Sequence, residues 1–284
     1  APRTRSLSTA GALTIASLML LAGCPEPRPT MPPPDSKAPA PPAPRSPVAR
    51  QGPDIISVTH EGKRFTVCTV DLDEYDLELH WRDDRGEPFG GFPALDGWLT
   101  RRGRKLLFAM NAGMFMEDLT PVGLYVEQGK ELRPLNLRDG KSNFCLKPNG
   151  VFAITDDGAA VVESSRYREI AKSTKLATQS GPMLVIDGEV HPKFSASSNS
   201  RLFRNGVGVV SPTKVAFAIT QDPVNLHEFA AFFRDRLHCA NALYLDGTVS
   251  SLYSEALGRC DCLVSIGPII GVTGKAAGSS MPGR

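Results

Sequence analysis

The sequence predicts an α+β domain built on a mixed, mostly antiparallel β-sheet with a few packed helices. Many short apolar segments alternate with turns that end in glycine, and one longer segment has a clear helical periodicity. The domain occupies residues 54–272, which are enough to bury one substantial core. We therefore expect a single domain that follows a signal and a linker.

The first 24 residues are similar to a bacterial lipoprotein signal. Arg3 and Arg5 precede an apolar stretch over residues 7–21, and Leu21-Ala-Gly leads into Cys24. The apolar part is too short for a convincing membrane span. The resemblance implies a lipidated Cys24 and a lipoprotein anchored in the bacterial cell envelope, facing the periplasm or the exterior. The alternative is an ordinary secretory signal with an incidental cysteine.

Residues 25–53 are predicted to be a linker. They contain twelve of the 24 prolines of the chain and nothing that would form a core. The Gly- and Ser-rich tail, residues 273–284, is predicted to be disordered. A net charge of +2 decides nothing about anionic partners, but the chain has no basic run with interleaved aromatic residues, so the sequence argues against a nucleic-acid partner.

Apolar runs and apolar–polar alternation predict the strands. They lie at residues 65–72, 77–81, 105–110, 122–126, 143–146, 151–154, 159–162, 183–186, 206–210, 215–219 and 242–246. Asp156-Asp-Gly158 and Asp187-Gly188 are typical of tight hairpins, because glycine tolerates the positive φ that such turns need. A short helix is predicted at residues 167–172.

The clearest helix is predicted over residues 225–239. Asn225 is a candidate N-cap, and Glu228 follows at the spacing of a capping box. Apolar residues then recur at helical intervals from Leu226 to Leu237. We expect this stripe to pack on the sheet.

The strand predicted at 242–246 ends at Asp246 and is followed by Gly247. Since ligands of α/β sheets gather at the carboxyl ends of strands, Asp246 is the first candidate for chemistry. The alternative is that Asp-Gly only turns the chain.

Four motifs carry a resemblance to a known family. They are Asn111-Ala-Gly-Met-Phe115, Gly181-Pro-Met-Leu-Val-Ile-Asp-Gly188, Arg204-Asn-Gly-Val-Gly-Val209 and Leu245-Asp-Gly-Thr-Val-Ser250. In this order they resemble the phosphodiester glycosidase family, in particular its bacterial secreted branch, over roughly residues 105–272. Many members have Asp-Gly-Gly-Gly-Ser in the last motif. Thr248 and Val249 replace two of those glycines here, which restricts the approach of the backbone to a phosphate.

The resemblance implies cleavage of a sugar–phosphate diester through an oxocarbenium-like state. Asp246 is the candidate carboxylate that stabilises the sugar cation or activates water, and Glu127 is a weaker second carboxylate. Arg204, together with Arg201, is the candidate for neutralising the phosphate. The alternatives are a surface ion pair for Arg204 and a solvated position for Glu127.

The remaining candidate site residues are neutral. Asn111, Gln179 and Ser180 suit hydrogen bonds to sugar hydroxyls or an N-acetyl group. The alternatives are that Asn111 caps a turn and that the other two satisfy a buried loop. The substrate-binding set is completed by Gly113, Gly181, Gly247 and Ser250, of which the glycines would keep the backbone close to the ligand.

The sequence requires no cofactor. A divalent metal is an open alternative, because Asp187, Asp222 and Asp246 could gather around one ion. A disulfide from Cys239 to Cys260 or Cys262 is a hypothesis that would tie the helix to the segment after the Asp246 strand. A nucleophilic pair of Ser180 with His191 has no support beyond the presence of both residues.

These observations lead to one function and two alternatives. The first is an envelope-tethered hydrolase of glycosyl phosphodiesters, with a carbohydrate phosphodiester as its substrate. The second is a non-catalytic glycan- or sugar-phosphate-binding lipoprotein with the same fold, and the third is a structural envelope protein.

Overall fold

The computed structural model describes residues 52–275. The predicted signal, the lipidation site Cys24, most of the predicted linker and most of the predicted tail lie outside the described residues. The strands are β1 (Asp54–His60), β2 (Lys63–Asp71), β3 (Tyr75–His80), β4 (Leu106–Asn111), β5 (Tyr125–Glu127), β6 (Lys130–Arg133), β7 (Gly150–Thr155), β8 (Gly158–Glu163), β9 (Thr174–Ser180), β10 (Met183–Ile186), β11 (Glu189–Val190), β12 (Asn205–Ser211), β13 (Lys214–Thr220), β14 (Asn241–Asp246), β15 (Leu252–Ser254), β16 (Arg259–Cys260) and β17 (Ile269–Gly274).

Helices are few and short in this part of the chain. The α-helices are α1 (Phe92–Thr100) and α2 (Leu226–Ala231), the 3₁₀ helices are Asn143–Cys145, Ser164–Glu169 and Ala171–Ser173, and a π-helical turn spans Phe232–Arg236. No helix between residues 52 and 275 is long and apolar enough to cross a membrane.

The strands form three sheets. The largest has the order β1-β2-β13-β12-β14-β10-β11, the second β16-β15-β4-β17-β3, and the third β6-β5-β9-β7-β8. Every pairing between two of these strands is antiparallel. The predicted α+β class with mostly antiparallel pairing is confirmed.

One central core joins the three sheets. Phe108 of β4, Phe152 of β7 and Phe217 of β13 meet there, and each is fully buried. The opposite face of each sheet has its own cover: α2 with the π-helical turn on the first sheet, α1 on the second, and the 3₁₀ segment around Tyr167 on the third. Because both faces of each sheet are covered, the central strands are apolar on both sides.

Two local predictions are corrected. Residues 143–146 are not a strand, because the carbonyl of Phe144 accepts a hydrogen bond from the Asn149 side chain (2.8 Å) in a 3₁₀ turn rather than from a neighbouring strand. The predicted helix 225–239 begins as expected, with the capping box of Asn225 and Glu228, but its α-helical part ends at Ala231. A π-helical turn follows, and it keeps Phe232 and Phe233 in the core together.

The predicted disulfide is also corrected. Cys260 is bonded to Cys262, so the bridge closes a short loop next to β16. Cys239 is a free, buried thiol that lies against Gly208 of β12. The helix is therefore held to the sheet by packing rather than by a covalent link. At the other end of the domain, β17 continues to Gly274, two residues past the predicted boundary at 272.

Candidate active site

Asp246 is the last residue of β14, as the sequence predicts. Leu243 and Leu245 face the central core, whereas Ala242 and Tyr244 face α2, which explains the continuous apolar run before the aspartate. The pairing of β12 with β14 shifts register between Gly206 and Asn205. Gly206 pairs with Tyr244 and Asn205 pairs with Asp246, so Leu245 is the extra residue of a β-bulge. A bulge changes the direction of the side chain that follows it, here that of Asp246.

The carboxylate of Asp246 is buried, with 6% of the residue exposed. Its Oδ1 accepts backbone N–H bonds from Gly247 (2.6 Å), Thr248 (2.8 Å) and Val249 (3.4 Å). Its Oδ2 accepts a single long bond of 3.4 Å, from the Asn111 side chain. Burial raises the pKa of Asp246, and the three N–H bonds oppose that rise. Asp246 thus both turns the chain and presents a second oxygen with spare capacity to accept.

A buried amide cluster surrounds Oδ2 of Asp246. Asn111, at the end of β4, accepts through its Oδ1 from the Asn205 side chain (2.7 Å) and from the backbone of Ser251 (3.0 Å). Ser180, at the end of β9, donates to the carbonyl of Leu245 at 2.9 Å. Asn111 therefore joins three segments of the fold, and it does not cap its own turn.

Arg204 is a buried cation without a carboxylate. It is 0% exposed, and its guanidinium donates to the carbonyls of Val224 (2.8 Å) and Ser200 (2.8 Å) and to the Tyr244 hydroxyl (3.0 Å). No ion pair between residues 52 and 275 includes it. Burial lowers the pKa of Arg204. The surface ion pair that the sequence left open is therefore wrong for Arg204.

Gly247 lies directly over this arginine. A Cβ added to Gly247 would come within 1.9 Å of the Tyr244 hydroxyl and 3.3 Å of Nη1 of Arg204. Glycine is required here by the close approach of Tyr244 to the backbone. Gly247 therefore contacts both residues: its N–H donates to Asp246, and its Cα lies next to the guanidinium of Arg204.

A cleft of about 580 Å³ is lined by Gly247, while Asp246 and Arg204 lie behind its lining. The loop 247–251, the segment 201–203 and the strand end at Thr220 and Gln221 form its walls, and Arg259, Asp261 and Val264 close one side. Leu202 and Phe203 are exposed at its mouth. Its lining combines polar and apolar side chains.

Two arginines line the cleft, and both are already paired. Arg201 forms a two-pronged ion pair with Glu228 (2.7 and 2.9 Å), and Arg259 forms one with Asp261. Ser250 donates through its hydroxyl to the carbonyls of Phe203 and Asp246, both at 3.1 Å. Arg201 and Ser250 thus lie where the sequence predicts, at the cleft, while their polar groups are engaged within the protein.

Gln179 has a structural environment. Its side-chain oxygen accepts from the backbones of Leu124 (3.0 Å) and Asn136 (2.9 Å), and its nitrogen donates to the Asn136 carbonyl (2.7 Å) and the Ser164 hydroxyl (3.0 Å). All four hydrogen-bonding positions of the amide are filled. This is the buried-loop alternative that the sequence left open.

The two other predicted glycines also lie at close approaches. Gly113 has φ +138°, and a Cβ there would contact Thr178 and Ser180 at 3.3–3.5 Å. A Cβ at Gly181 would come within 2.5 Å of the Asn149 side chain. Both glycines therefore let β9 and the amide cluster pack closely, and neither lines the cleft.

Glu127 lies apart from Asp246. It ends β5, accepts a hydrogen bond from the Tyr125 hydroxyl (3.0 Å), and its electrostatic neighbours are His80 and Glu78 of β3. Burial raises the pKa of Glu127. No hydrogen bond within the described part of the chain joins it to Asp246, so the structure does not bring the two predicted carboxylates together.

The three aspartates considered for a metal are separated. Asp187 is within hydrogen-bonding distance of Asn241, at the opposite end of β14 from Asp246, and Asp222 pairs with Arg64. Within residues 52–275 no group of three or more His, Cys, Asp or Glu side chains is arranged to hold a metal ion. The imagined Ser180–His191 pair is not formed either, since Ser180 donates to Leu245.

Comparison with known proteins identifies the family. The family model for phosphodiester glycosidases matches residues 104–259, which contain Asn111, Arg204 and Asp246. The chain belongs to the phosphodiester glycosidase family. It is 34% identical to the uncharacterized protein YigE of Escherichia coli (strain K12) over 187 residues, 66% of this chain and 73% of YigE.

A solved structure has a similar fold. It is the zebrafish N-acetylglucosamine-1-phosphodiester α-N-acetylglucosaminidase catalytic domain, auto-inhibited by pro-peptide. The TM-score is 0.51 at 17% identity, over 77% of this chain and 81% of that one. At this identity the likeness concerns the fold alone.

Three residues of this candidate site were missed by sequence reasoning. Arg259 and Asp261 reach the cleft from the disulfide-closed loop, and no motif marks them. Asn205 stands inside the Arg204–Val209 motif, where it reads as the first residue of an ordinary strand. Its position next to the family's arginine was the one available signal.

Proposed function

We propose that this phosphodiester glycosidase domain hydrolyses a glycosyl phosphodiester, with Asp246 as the catalytic carboxylate and Arg204 as the cation that offsets the phosphate charge. One observation carries the proposal. Gly247 lines the cleft, its N–H donates to the buried carboxylate of Asp246, and it lies against the buried guanidinium of Arg204, which has no carboxylate partner.

The properties of Asp246 suit the sugar side of the reaction. Departure of the phosphate leaves an oxocarbenium-like sugar, which a nearby carboxylate stabilises or which a water activated by that carboxylate attacks. Only Oδ1 is fully engaged, so Oδ2 remains to face the sugar or the water. Burial raises the pKa of Asp246, which strengthens it as a base.

The environment of Arg204 suits the phosphate side. A buried ion without a counter-charge is unfavourable, so an anion that arrives over Gly247 would recover part of that cost. The positive charge also stabilises the charge that develops on the departing phosphate. Arg201 and Arg259, at the cleft walls, would add to the field after exchanging their carboxylate partners for the ligand.

The substrate is proposed to be a carbohydrate phosphodiester, and the protein a lipoprotein of the bacterial envelope tethered through Cys24. The size of the cleft supports a sugar with a phosphate, and the similarity of residues 1–24 to a lipoprotein signal supports the tether.

A binding protein without turnover is the second candidate, and one observation favours it. The N–H groups of Gly247, Thr248 and Val249 donate to Oδ1 of Asp246 and are therefore not free to bind a phosphate. A phosphate must therefore be held mainly by side chains.

The decisive experiment follows release of sugar and phosphomonoester from a panel of glycosyl phosphodiesters, including nucleotide-sugars. Asp246→Asn is compared with Asp187→Asn, since both aspartates precede a glycine but Asp187 lies at the far end of β14. We expect turnover to disappear in Asp246→Asn and to persist in Asp187→Asn. A parallel reaction with a chelator tests for a metal.

Two results would count against the hydrolase. Equal turnover in Asp246→Asn and the natural protein would remove Asp246 from the mechanism. A folded protein that binds sugar phosphates, seen as a rise in Tm, but cleaves no member of the panel would favour the binding lipoprotein. If no sugar phosphate raises the Tm, the result favours a structural envelope protein.

A further inference from the structure

Asn205 has a buried acceptor that the proposed mechanism does not use. The residue is 0% exposed, and its Oδ1 has no hydrogen-bond partner between residues 52 and 275. Its Nδ2 donates to both Oδ1 (2.7 Å) and the backbone carbonyl (3.2 Å) of Asn111. These two acceptors fix the orientation of the amide, because a flipped amide would place oxygen against oxygen.

The free oxygen belongs to the same cluster as the catalytic carboxylate. Asn205 is the direct cross-strand partner of Asp246, and the side chains of such a pair have Cβ atoms only about 4.5–5.5 Å apart. Both residues contact the Asn111 amide, which Asn205 meets at Oδ1 and Asp246 at Nδ2. The cluster thus contains two acceptors with spare capacity, Oδ1 of Asn205 and Oδ2 of Asp246.

A buried acceptor without a partner is unfavourable, and native proteins seldom keep one without a function. No donor of the described residues reaches Oδ1 of Asn205. The Asn111 Nδ2 faces Asp246, and the Ser180 hydroxyl donates to Leu245. A donor from outside the protein is therefore what the cluster lacks.

We propose that Asn205 is a further ligand-binding residue, whose Oδ1 accepts a hydrogen bond from an O–H or N–H donor held beside Oδ2 of Asp246. The inference rests on the proposed function, because it assigns the donor to the reacting complex. The donor comes from one of two sources, the attacking water or a hydroxyl or amide group of the sugar. Both offer the same chemistry to the two acceptors.

The test replaces Asn205 by alanine and uses Asn241→Ala as the matched control. Asn241 is a hydrogen-bonded asparagine on the same β12–β14 ladder, at the end away from Asp246. We expect kcat/KM to fall on the order of ten- to a hundredfold in Asn205→Ala and to change less than about twofold in Asn241→Ala. Unchanged kcat/KM in a folded Asn205→Ala protein would overturn the inference.

Substrates that lack single hydroxyl or acetamido groups separate the two sources. If the sugar is the donor, removing that group from the substrate lowers kcat/KM of the natural protein as much as Asn205→Ala lowers it with the full substrate. Combining the variant with the analogue then lowers kcat/KM no further. If water is the donor, Asn205→Ala lowers kcat to the same extent for every analogue. Because Asn205 also holds Asn111 beside Asp246, a purely structural role would lower kcat equally for every analogue too, so the water case additionally requires a water between Oδ1 of Asn205 and Oδ2 of Asp246 in a crystal structure.

A crystal structure of the full chain tests the inference without turnover. The crystals are soaked with glucose 1-phosphate and compared with unsoaked crystals. We expect a water or a sugar group within about 3.2 Å of Oδ1 of Asn205. A protein donor at that distance, or none of any kind, would refute the inference, even where turnover shows that Asp246 is catalytic. If the donor is bound but the protein has no turnover, the inference about Asn205 is supported and the hydrolase proposal fails.

Discussion

Replacing Gly247 by alanine should destabilise the domain strongly, because the new methyl group has no room. Its Cβ would lie 1.9 Å from the hydroxyl and 3.1 Å from Cζ of Tyr244. Tyr244 is buried between β14 and α2 and cannot swing into solvent. The ring must therefore move away from its present position, and with it the acceptor of the Arg204 hydrogen bond (3.0 Å).

Two terms give the magnitude. Overpacking a close-packed interior costs about 1–3 kcal/mol, and losing a hydrogen bond from a charged donor costs about 1.5–3 kcal/mol. The sum is about 2.5–6 kcal/mol, which is a large share of the roughly 5–15 kcal/mol that holds a domain folded. Turnover should fall as well, since Gly247 lies between Asp246 and Arg204.

Urea unfolding followed by tryptophan fluorescence measures the change, with Gly97→Ala as the control. A Cβ at Gly97 in α1 would lie 3.6 Å from Nη1 of Arg101, an ordinary contact. Removing a glycine from a helix interior should stabilise by about 0.5–1 kcal/mol. The same substitution is thus expected to have opposite signs at the two sites. A loss below about 1 kcal/mol in Gly247→Ala would refute the packing argument.

Three further predictions follow from the buried polar groups. Burial raises the pKa of Asp246, so the protonated carboxyl group is the form that the folded protein favours. The stability that this group contributes is full below the pKa of an unfolded aspartate and is lost as the pH rises through the folded pKa. The Tm of the natural protein should therefore fall relative to that of Asp246→Asn between pH 4 and 8, and a constant difference in Tm would contradict this. Gln179→Ala leaves backbone groups of Leu124 and Asn136 unpaired and should cost about 3 kcal/mol in denaturant unfolding, whereas a loss of ligand affinity at unchanged stability would show a binding role instead. Glu127→Gln should keep turnover within about threefold, because the contacts of Glu127 are with Tyr125 and β3, and loss of turnover equal to that of Asp246→Asn would return it to the mechanism.

Much of the local structure could be predicted because its causes are local. The capping box of Asn225 and Glu228 and the hairpin at Asp187-Gly188, where both residues have positive φ, depend on neighbours in the chain. The strand before Asp246 was marked by its apolar run, since it is covered on both faces. By contrast, α1 was not predicted, because Gly97 interrupts its helical pattern, although Pro93 stands in its first turn, where proline is favourable.

The reasoning that selected Asp246 was only partly sound. It relied on the carboxyl edge of parallel strands, but all the pairings around β14 are antiparallel. Asp246 instead owes its place to the register shift between Asn205 and Gly206, which brings it to the amide cluster. The geometric reason for Asp246 was therefore wrong, and its role remains a proposal that rests on the family motif and the amide cluster.

The sequence by itself determined the family, the strand that ends at Asp246, the capped helix and the turn glycines, because each depends on residues close in the chain. Only the tertiary structure decided which polar groups have partners. Arg201 and Arg204 look alike in the sequence, yet one is paired with Glu228 and the other is buried without a carboxylate. Pairing across strands sets that difference, and it brings Asn111, Asn205 and Asp246 together from positions up to 135 residues apart.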